Sequence, residues 1–338
     1  MKTDKDCILC GGSDFSPVLV SNINLIKCRN CGLVCVFPLP SEDEVMSFYS
    51  IGKIEIPTSA DEKNNRRFLK LIEEFRSPGR LIDIGAWYGD FLVVAKKRGW
   101  TVAGVEPNPK ACEFVNSKYG IKMLNGTIKD ALASFGNGSF DVVTMFHVIE
   151  HIANPIDYIL DVSKILKRGE GLLVIRTPNI NAILFSILGR HWGHLALPAH
   201  LYFYSPSTLK ILLEKCGFKI LHSSTLSCPT VNEVFELLKG FLKFIGIKRL
   251  LVSVNQERGI TIKNLRLENK LEGRRPNLEM PHFCLDNGGK LIGLMSLKGV
   301  INEVTKPIFY MTYPLWYYFE RKGYGSELFV IAKRKKED

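Results

Sequence analysis

No stretch of this sequence reaches 18 apolar residues uninterrupted by charge, so a membrane-spanning helix is not expected. The opening Met1-Lys2-Thr3-Asp4-Lys5-Asp6 lacks the apolar core of a signal peptide, and the chain is expected in the cytoplasm. Low-complexity tracts and repeats of solenoid length are absent, which excludes repeat architectures. Acidic residues run short: 34 Asp and Glu against 45 Lys and Arg leave a net charge of +11. That bias admits a nucleic acid, an anionic membrane surface or a phosphorylated substrate as partner, or simply a solvated basic face. It is local as well as global. Residues 248–275 hold eight Lys and Arg against three Glu, and Lys333-Arg334-Lys335-Lys336 follow near the end.

What is present suits a globular chain. The 338 residues are 46% hydrophobic and 23% charged, enough for two compact units or one with a large insertion. Five of the nine cysteines fall within the first 35 residues, so they form a local pattern. Cys7-x2-Cys10 and Cys28-x2-Cys31 have the spacing of a tetrahedral four-thiolate zinc site. A disulfide pair is the alternative, disfavoured in a reducing compartment. Four thiolates leave no coordination position for water, so a Zn2+ here would be structural. The remaining cysteines read as small buried hydrophobes.

Along the chain, Ser41-x2-Glu44 resembles a capping box opening a short helix through Tyr49, and another helix is predicted from Lys63 to Phe75. Apolar strands at 81–84, 101–105, 121–124, 140–145 and 171–175 then alternate with helices at 90–98, 110–118 and 155–166. That order predicts a doubly wound parallel α/β sheet. A helix at 206–216, a strand at 218–222 and a late strand at 327–332 complete the pattern.

The first of these strands runs into Asp83-Ile84-Gly85-Ala86-Trp87-Tyr88-Gly89, a glycine-rich turn that lets backbone approach a ligand at a helix N-terminus. The second ends in Glu106, placed to accept both hydroxyls of a ribose. The glycine spacing is G-x-x-x-G rather than the dinucleotide G-x-G-x-x-G, and the 140–145 strand runs into Phe146-His147-Val148-Ile149-Glu150-His151.

With these segments, residues 79–225 resemble the class I S-adenosylmethionine-dependent methyltransferases, in particular the small-molecule group related to the ubiquinone-biosynthesis O-methyltransferases. Val105-Glu106-Pro107, Thr177-Pro178-Asn179, Pro198-Ala199-His200-Leu201 and Gly217-Phe218 also match. The cysteine knuckle resembles the N-terminal module of several bacterial members, and residues 323–328 resemble the turn into the family's last, antiparallel strand. The resemblance implies a seven-stranded Rossmann-like sheet with that last strand antiparallel, divided into a zinc module (1–40), a helical linker (41–78), a core (79–225 with 323–336) and an insertion (226–322). It implies that Asp83, Gly85, Gly89, Glu106 and Pro107 hold the cofactor, that Thr127 and Ile128 flank its adenine, and that Phe146 and His147 close the site. Trp87 departs from the family, which has a small residue there.

His147, Glu150 and His151 share one helical face. In isolation His-x-x-Glu-His matches an inverted zinc-protease motif, but its place after a sheet strand beside a nucleoside site speaks against that reading. Here the group suits substrate positioning or general base work, with His200 as a second candidate base, and the resemblance to the ubiquinone-type enzymes adds a divalent cation at this turn; an unperturbed imidazole titrates near pH 6.5. The expected acceptor is a small molecule or glycan hydroxyl, on a sugar or a lipid-linked saccharide. An RNA acceptor is the alternative, weakened because the Asn/Asp-Pro-Pro-Tyr/Phe turn and the Pro-Cys dipeptide of nucleobase enzymes are both missing. A catalytically inactive binding protein is a further alternative, resting on Trp87. One amphipathic face over Val231–Ile245, and aromatics over 308–319, suggest a lid, a homodimer face or a peripheral contact at the inner face of the membrane.

Overall fold

The computed structural model describes residues 6–20, 23–40, 44, 62–197, 199–226, 283–285, 291–293 and 317–335. It divides into two units, 1–228 with 316–338, and 229–315. The predicted helix at 41–49, except Glu44, the 248–275 basic run and the 231–245 amphipathic face lie outside the described residues.

The larger unit opens with β1 (Phe15–Val20), β2 (Ile23–Cys28) and β3 (Val34–Val36). Then come α1 (Glu62–Glu73), β4 (Arg80–Ile84), α2 (Asp90–Lys97), β5 (Thr101–Glu106), α3 (Pro109–Tyr119), β6 (Lys122–Asn125), α4 (Ile128–Phe135) and β7 (Val142–Phe146). The chain continues through α5 (Pro155–Ile165), β8 (Leu172–Pro178), α6 (Ile183–Leu188), β9 (Tyr202–Phe203), α7 (Pro206–Lys215) and β10 (Phe218–Leu226). In the second unit β11 (Phe283–Leu285) pairs antiparallel with β12 (Leu291–Gly293). The larger unit closes on β13 (Glu327–Arg334).

The main sheet has the order β10-β13-β8-β7-β4-β5-β6. β4 through β8 run parallel, and β13 is antiparallel to both its neighbours, as expected for this class. Successive strand residues feed opposite faces. Leu81, Val142 and Val174 pack with α1 and α2 residues such as Leu69 and Leu92, while Ile82, Val143 and Ile175 pack beneath α5 and α7 residues such as Ile159 and Leu212. Both faces being covered explains why the central strands are apolar throughout and not alternating.

Helices start where the caps put them. Asn108 accepts from the backbone of Lys110 and Ala111 ahead of Pro109, and Ser205 with Thr208 forms a capping box ahead of Pro206. Sequence periodicity missed α4, which Thr127 and Asp130 cap reciprocally, and the short α6. It also missed β1, β2, β3 and β9, which form a second sheet in the order β1-β2-β3-β9. These strands are two to six residues long, too short for a period to show. The knuckle is thereby stitched to the core: Val34 pairs with Phe203 and Cys35 with Tyr202. Leu9, Phe15 and Leu33 join the hydrophobic cluster that contains Tyr204 and Leu209. No described helix is long and apolar enough to cross a membrane.

Candidate active site

The strand order reverses between β4 and β7, and ligand crevices open at the carboxyl ends of strands around such a switch. Asp83, near the end of β4, is buried and accepts a 2.6 Å hydrogen bond from Thr144 Oγ1 on β7. Burial raises its pKa to about 7 against the opposing pull of that hydroxyl. Gly85 has φ +71°, and a Cβ there would sit 2.5 Å from Val148 Cγ2, so only glycine leaves the approach open. Gly89 caps α2 at φ +74°, where a Cβ would crowd Val115 at 3.0 Å.

Glu106 is buried at the end of β5. Its Oε2 accepts from Trp87 N and its Oε1 from Asn108 N, both at 3.0 Å. Burial raises its pKa while these two N–H groups oppose the shift. Each oxygen keeps a second lone pair for a hydroxyl donor. Trp87 adopts φ +48° and leaves 39% of its surface exposed, its ring edge on Tyr88, so the bulky residue turns outward. Pro107 O accepts from Asn125 Nδ2 at 2.8 Å, tying β5 to β6. Thr127 is occupied as the cap of α4, and the Ile128 side chain is in the core. Phe146 packs against Phe91 and Phe68 at ring distances of 4.8 and 5.8 Å.

The other half of the crevice holds charges that sequence reading left unconnected. His147, at φ +57°, has Nδ1 3.3 Å from Glu150 Oε1 and Nε2 3.2 Å from Glu327 Oε1. Glu327 opens β13 and is gripped by Arg176 of β8, Nε to Oε2 at 2.6 Å and Nη2 to Oε1 at 3.0 Å. Thr177 Oγ1 donates to Glu150 Oε2 at 2.9 Å. Asn179 Nδ2 donates to the carbonyls of Gly323 and Gly325, fixing the turn that delivers Glu327. Burial alone would lower the His147 pKa; the two carboxylates outweigh it and lift the pKa to about 9. Burial likewise opposes ionisation of Glu150 and Glu327, yet His147 brings the first to about 2 and, with Arg176, holds the second well below the carboxylate range.

His200 is different. It is 7% exposed, its Nδ1 has no hydrogen-bond partner among the described residues, and burial lowers its pKa to about 4. Its ring lies edge-on to His151 at 4.6 Å, and His151 Nδ1 is 2.9 Å from Ala199 O. The four predicted residues therefore come together, but neither candidate base keeps the near-neutral pKa expected of a free imidazole. Sequence reading missed Thr144, Arg176 and His194, and saw Thr177 and Glu327 only as parts of matching segments, with no role in the site. The one signal available was a charged residue heading the apolar β13.

Potential metal ligands gather in three places among the described residues: Cys7, Cys10, Cys28 and Cys31; His147, His194 and Glu327; and Glu150, His151 and His200. Cys7 and Cys31 sulfurs are 3.5 Å apart, as are those of Cys10 and Cys28. A disulfide needs about 2.05 Å. Tetrahedral thiolates at about 2.3 Å from zinc stand roughly 3.8 Å apart, which these separations approach.

Residues 58–223 match the family described as a methyltransferase domain. The strand order, the glycine turn and the buried Asp83 and Glu106 agree with that match, and residues 58–223 form a methyltransferase domain of the S-adenosylmethionine-dependent class. Among individual relatives, a ubiquinone biosynthesis O-methyltransferase of Cereibacter sphaeroides is 31% identical over 148 residues, 41% of this chain and 59% of that one. A protein of the same description from Maricaulis maris is 27% identical over 168 residues, 47% of this chain and 66% of that one. The chain thus spans less than two thirds of the length of these relatives. A solved methyltransferase from Archaeoglobus fulgidus aligns with TM-score 0.46 and 19% identity, covering 80% of this chain and 93% of its own.

Proposed function

We propose that the chain transfers a methyl group from S-adenosylmethionine to a hydroxyl oxygen of a small-molecule acceptor. The observation that carries this reading is the strand-end geometry: Glu106 held by two backbone N–H groups beside a turn whose Gly85 has no room for a side chain. Gly85 and Gly89 would admit the methionine end and Glu106 the ribose. Oxygen as the accepting atom is supported by the O-methyltransferase description of the relatives. A sugar or lipid-linked saccharide is the acceptor we favour, because the basic surplus suits a phosphate-bearing substrate.

S-adenosylmethionine supplies a methyl group on a cationic sulfur, already activated toward a nucleophile. What is left to the protein is alignment and proton removal. His200 Nδ1 is the group for the proton: it is buried, without another partner among the described residues, and kept neutral by burial. His147 faces a carboxylate with each ring nitrogen, so its part is to position. The knuckle cysteines suit one structural Zn2+ per chain, since four sulfurs converge with no other ligand type among them.

Calorimetric titration with S-adenosylmethionine and its demethylated product, followed by incubation with radiolabelled cofactor and candidate hydroxyl acceptors, tests the proposal. Binding of a nicotinamide dinucleotide in place of either ligand would overturn it.

A further inference from the structure

Two side chains without a part in the proposed reaction, His194 and Glu327, converge on His147. Glu327 Oε1 lies 3.2 Å from His147 Nε2 and 3.9 Å from His194 Nε2, and one ligand-type atom from each of the three residues falls within 4.8 Å of the other two. They come from three distant segments: the end of β7, the loop after α6 and the head of β13. From this juxtaposition we propose that His147, His194 and Glu327 form a two-histidine, one-carboxylate site for a divalent first-row transition cation.

Ligand type and number fit. Two imidazoles and a carboxylate are the donor set of open, non-structural cation sites, which keep positions for water or substrate oxygen. Bonds of about 2.1 Å at angles of 90–110° place ligand atoms roughly 3.0–3.4 Å apart, so side-chain movements of at most about 1–2 Å would complete the set. The surroundings fit as well. A ligating histidine usually presents its other nitrogen to a carboxylate, and His147 Nδ1 faces Glu150 Oε1 at 3.3 Å. A ligating carboxylate is usually held by a further donor, and the Arg176 fork holds Glu327. That fork takes one lone pair on each oxygen and leaves the second on Oε1 for the histidine side. Glu150 is in turn fixed by Thr177. A non-glycine residue at φ +57° is uncommon and costs energy unless its surroundings enforce it, so His147 is held in place rather than resting there.

The site also has an entrance. Glu327 and His194 are largely buried, whereas the His147 side chain retains 34% of its exposure and opens the cluster to solvent. A cation there would present its remaining positions to an acceptor oxygen in the crevice. That use rests on the methyl-transfer reading, whereas cation binding itself does not.

Loading the full-length, zinc-replete protein with Co2+, removing free ion by gel filtration and counting cobalt by elemental analysis tests the site. The wild type should retain one equivalent of cobalt in addition to its zinc. His194→Ala and Glu327→Gln should each weaken cobalt binding by about 100-fold or more, since even changes beyond the ligands themselves cost 10- to 100-fold. Cys28→Ser should still retain cobalt. An unchanged urea midpoint and circular-dichroism spectrum show that His194→Ala is folded, which keeps the test valid should Glu327→Gln not be. The proposal is overturned if the wild type holds no cobalt, if His194→Ala holds it as tightly as wild type, or if only His200→Ala releases it. The last result would place the ion with Glu150 and His151. Absence of cofactor binding with cobalt retained would overturn the methyl-transfer reading alone.

Discussion

The two halves of the crevice are built over different distances along the chain. In the cofactor half, Gly85, Gly89 and Glu106 lie within one strand-turn-helix-strand stretch, and Glu106 takes its hydrogen bonds from residues 19 and 2 positions away. In the acceptor half, Arg176 and Glu327 are 151 residues apart, brought face to face only because β13 inserts antiparallel beside β8. The first half needs little more than local geometry to exist. The second requires the whole sheet, and it buries two carboxylates that are tolerable only while an imidazole and a guanidinium face them. Binding of the cofactor and integrity of the acceptor site should therefore fail independently.

The knuckle belongs with the acceptor half. Leu201 N donates to Glu150 O and Leu201 O accepts from Val36 N, so the strand of the thiol knuckle, the Glu150 turn and the segment after His200 are one hydrogen-bonded run. The largest effect is expected from Cys28→Ser. Zinc content should fall to near zero, and amide exchange should accelerate over residues 7–36 and onward into Leu201–Phe203, because apparent binding energies of structural zinc reach about 10 kcal/mol. Exchange in β4 and β5 should not change. A response confined to the first 40 residues would show that the knuckle does not support the acceptor half.

Next in size is Glu327→Ala. It leaves Arg176 with no carboxylate and should cost about 3–5 kcal/mol of unfolding free energy, read by urea denaturation. Cofactor affinity in the protein that remains folded should hardly change. Glu106→Ala is the converse: stability should be nearly preserved, while S-adenosylmethionine binding weakens by about 1–3 kcal/mol in calorimetry. If Glu327→Ala abolished cofactor binding without unfolding, the two halves would not be independent.

The same difference governs how much could be read in advance. Strands β4 to β8, the helices α2, α3 and α5 between them and the glycine turn announce themselves by apolar runs and capping residues a few positions apart, whereas α4 does not. Cys7, Cys10, Cys28 and Cys31 were legible because metal spacing is a local pattern, and their sulfurs do converge. His147, Glu150, His151 and His200 could be named, but not their states. His147 has its pKa raised by Glu150 and by Glu327, the second a residue nothing in the local sequence ties to it, and His200 has its pKa lowered by burial that only the packed core creates. Thr177-Pro178-Asn179 could be seen as a motif, while its work, holding Glu150 on one side and the 323–325 turn on the other, depends on tertiary contact. β9 has two residues and exists because β3 lies beside it.

The smallest expected effect separates the halves by pH. Asp83 has a folded pKa of about 7 against 3.8 for the free group, and His147 has one of about 9 against 6.5. In both cases the folded state holds its proton to higher pH than the unfolded state, so stability must fall as pH rises. The Asp83 contribution is complete below about pH 4 and is lost toward pH 7; the His147 contribution is complete below about 6.5 and is lost toward pH 9. His200, with its pKa lowered to about 4, contributes the opposite change, a rise between about pH 4 and 6.5. Thermal unfolding of the metal-free protein in a His200→Phe background should therefore show the two declines separately. Thr144→Val removes the hydroxyl that favours the Asp83 carboxylate, which should push the first decline to higher pH and leave the second in place. Glu327→Gln removes one of the two carboxylates facing His147, which should draw the second decline toward neutrality and leave the first. A single decline shifted by both variants would mean that the two halves titrate as one network.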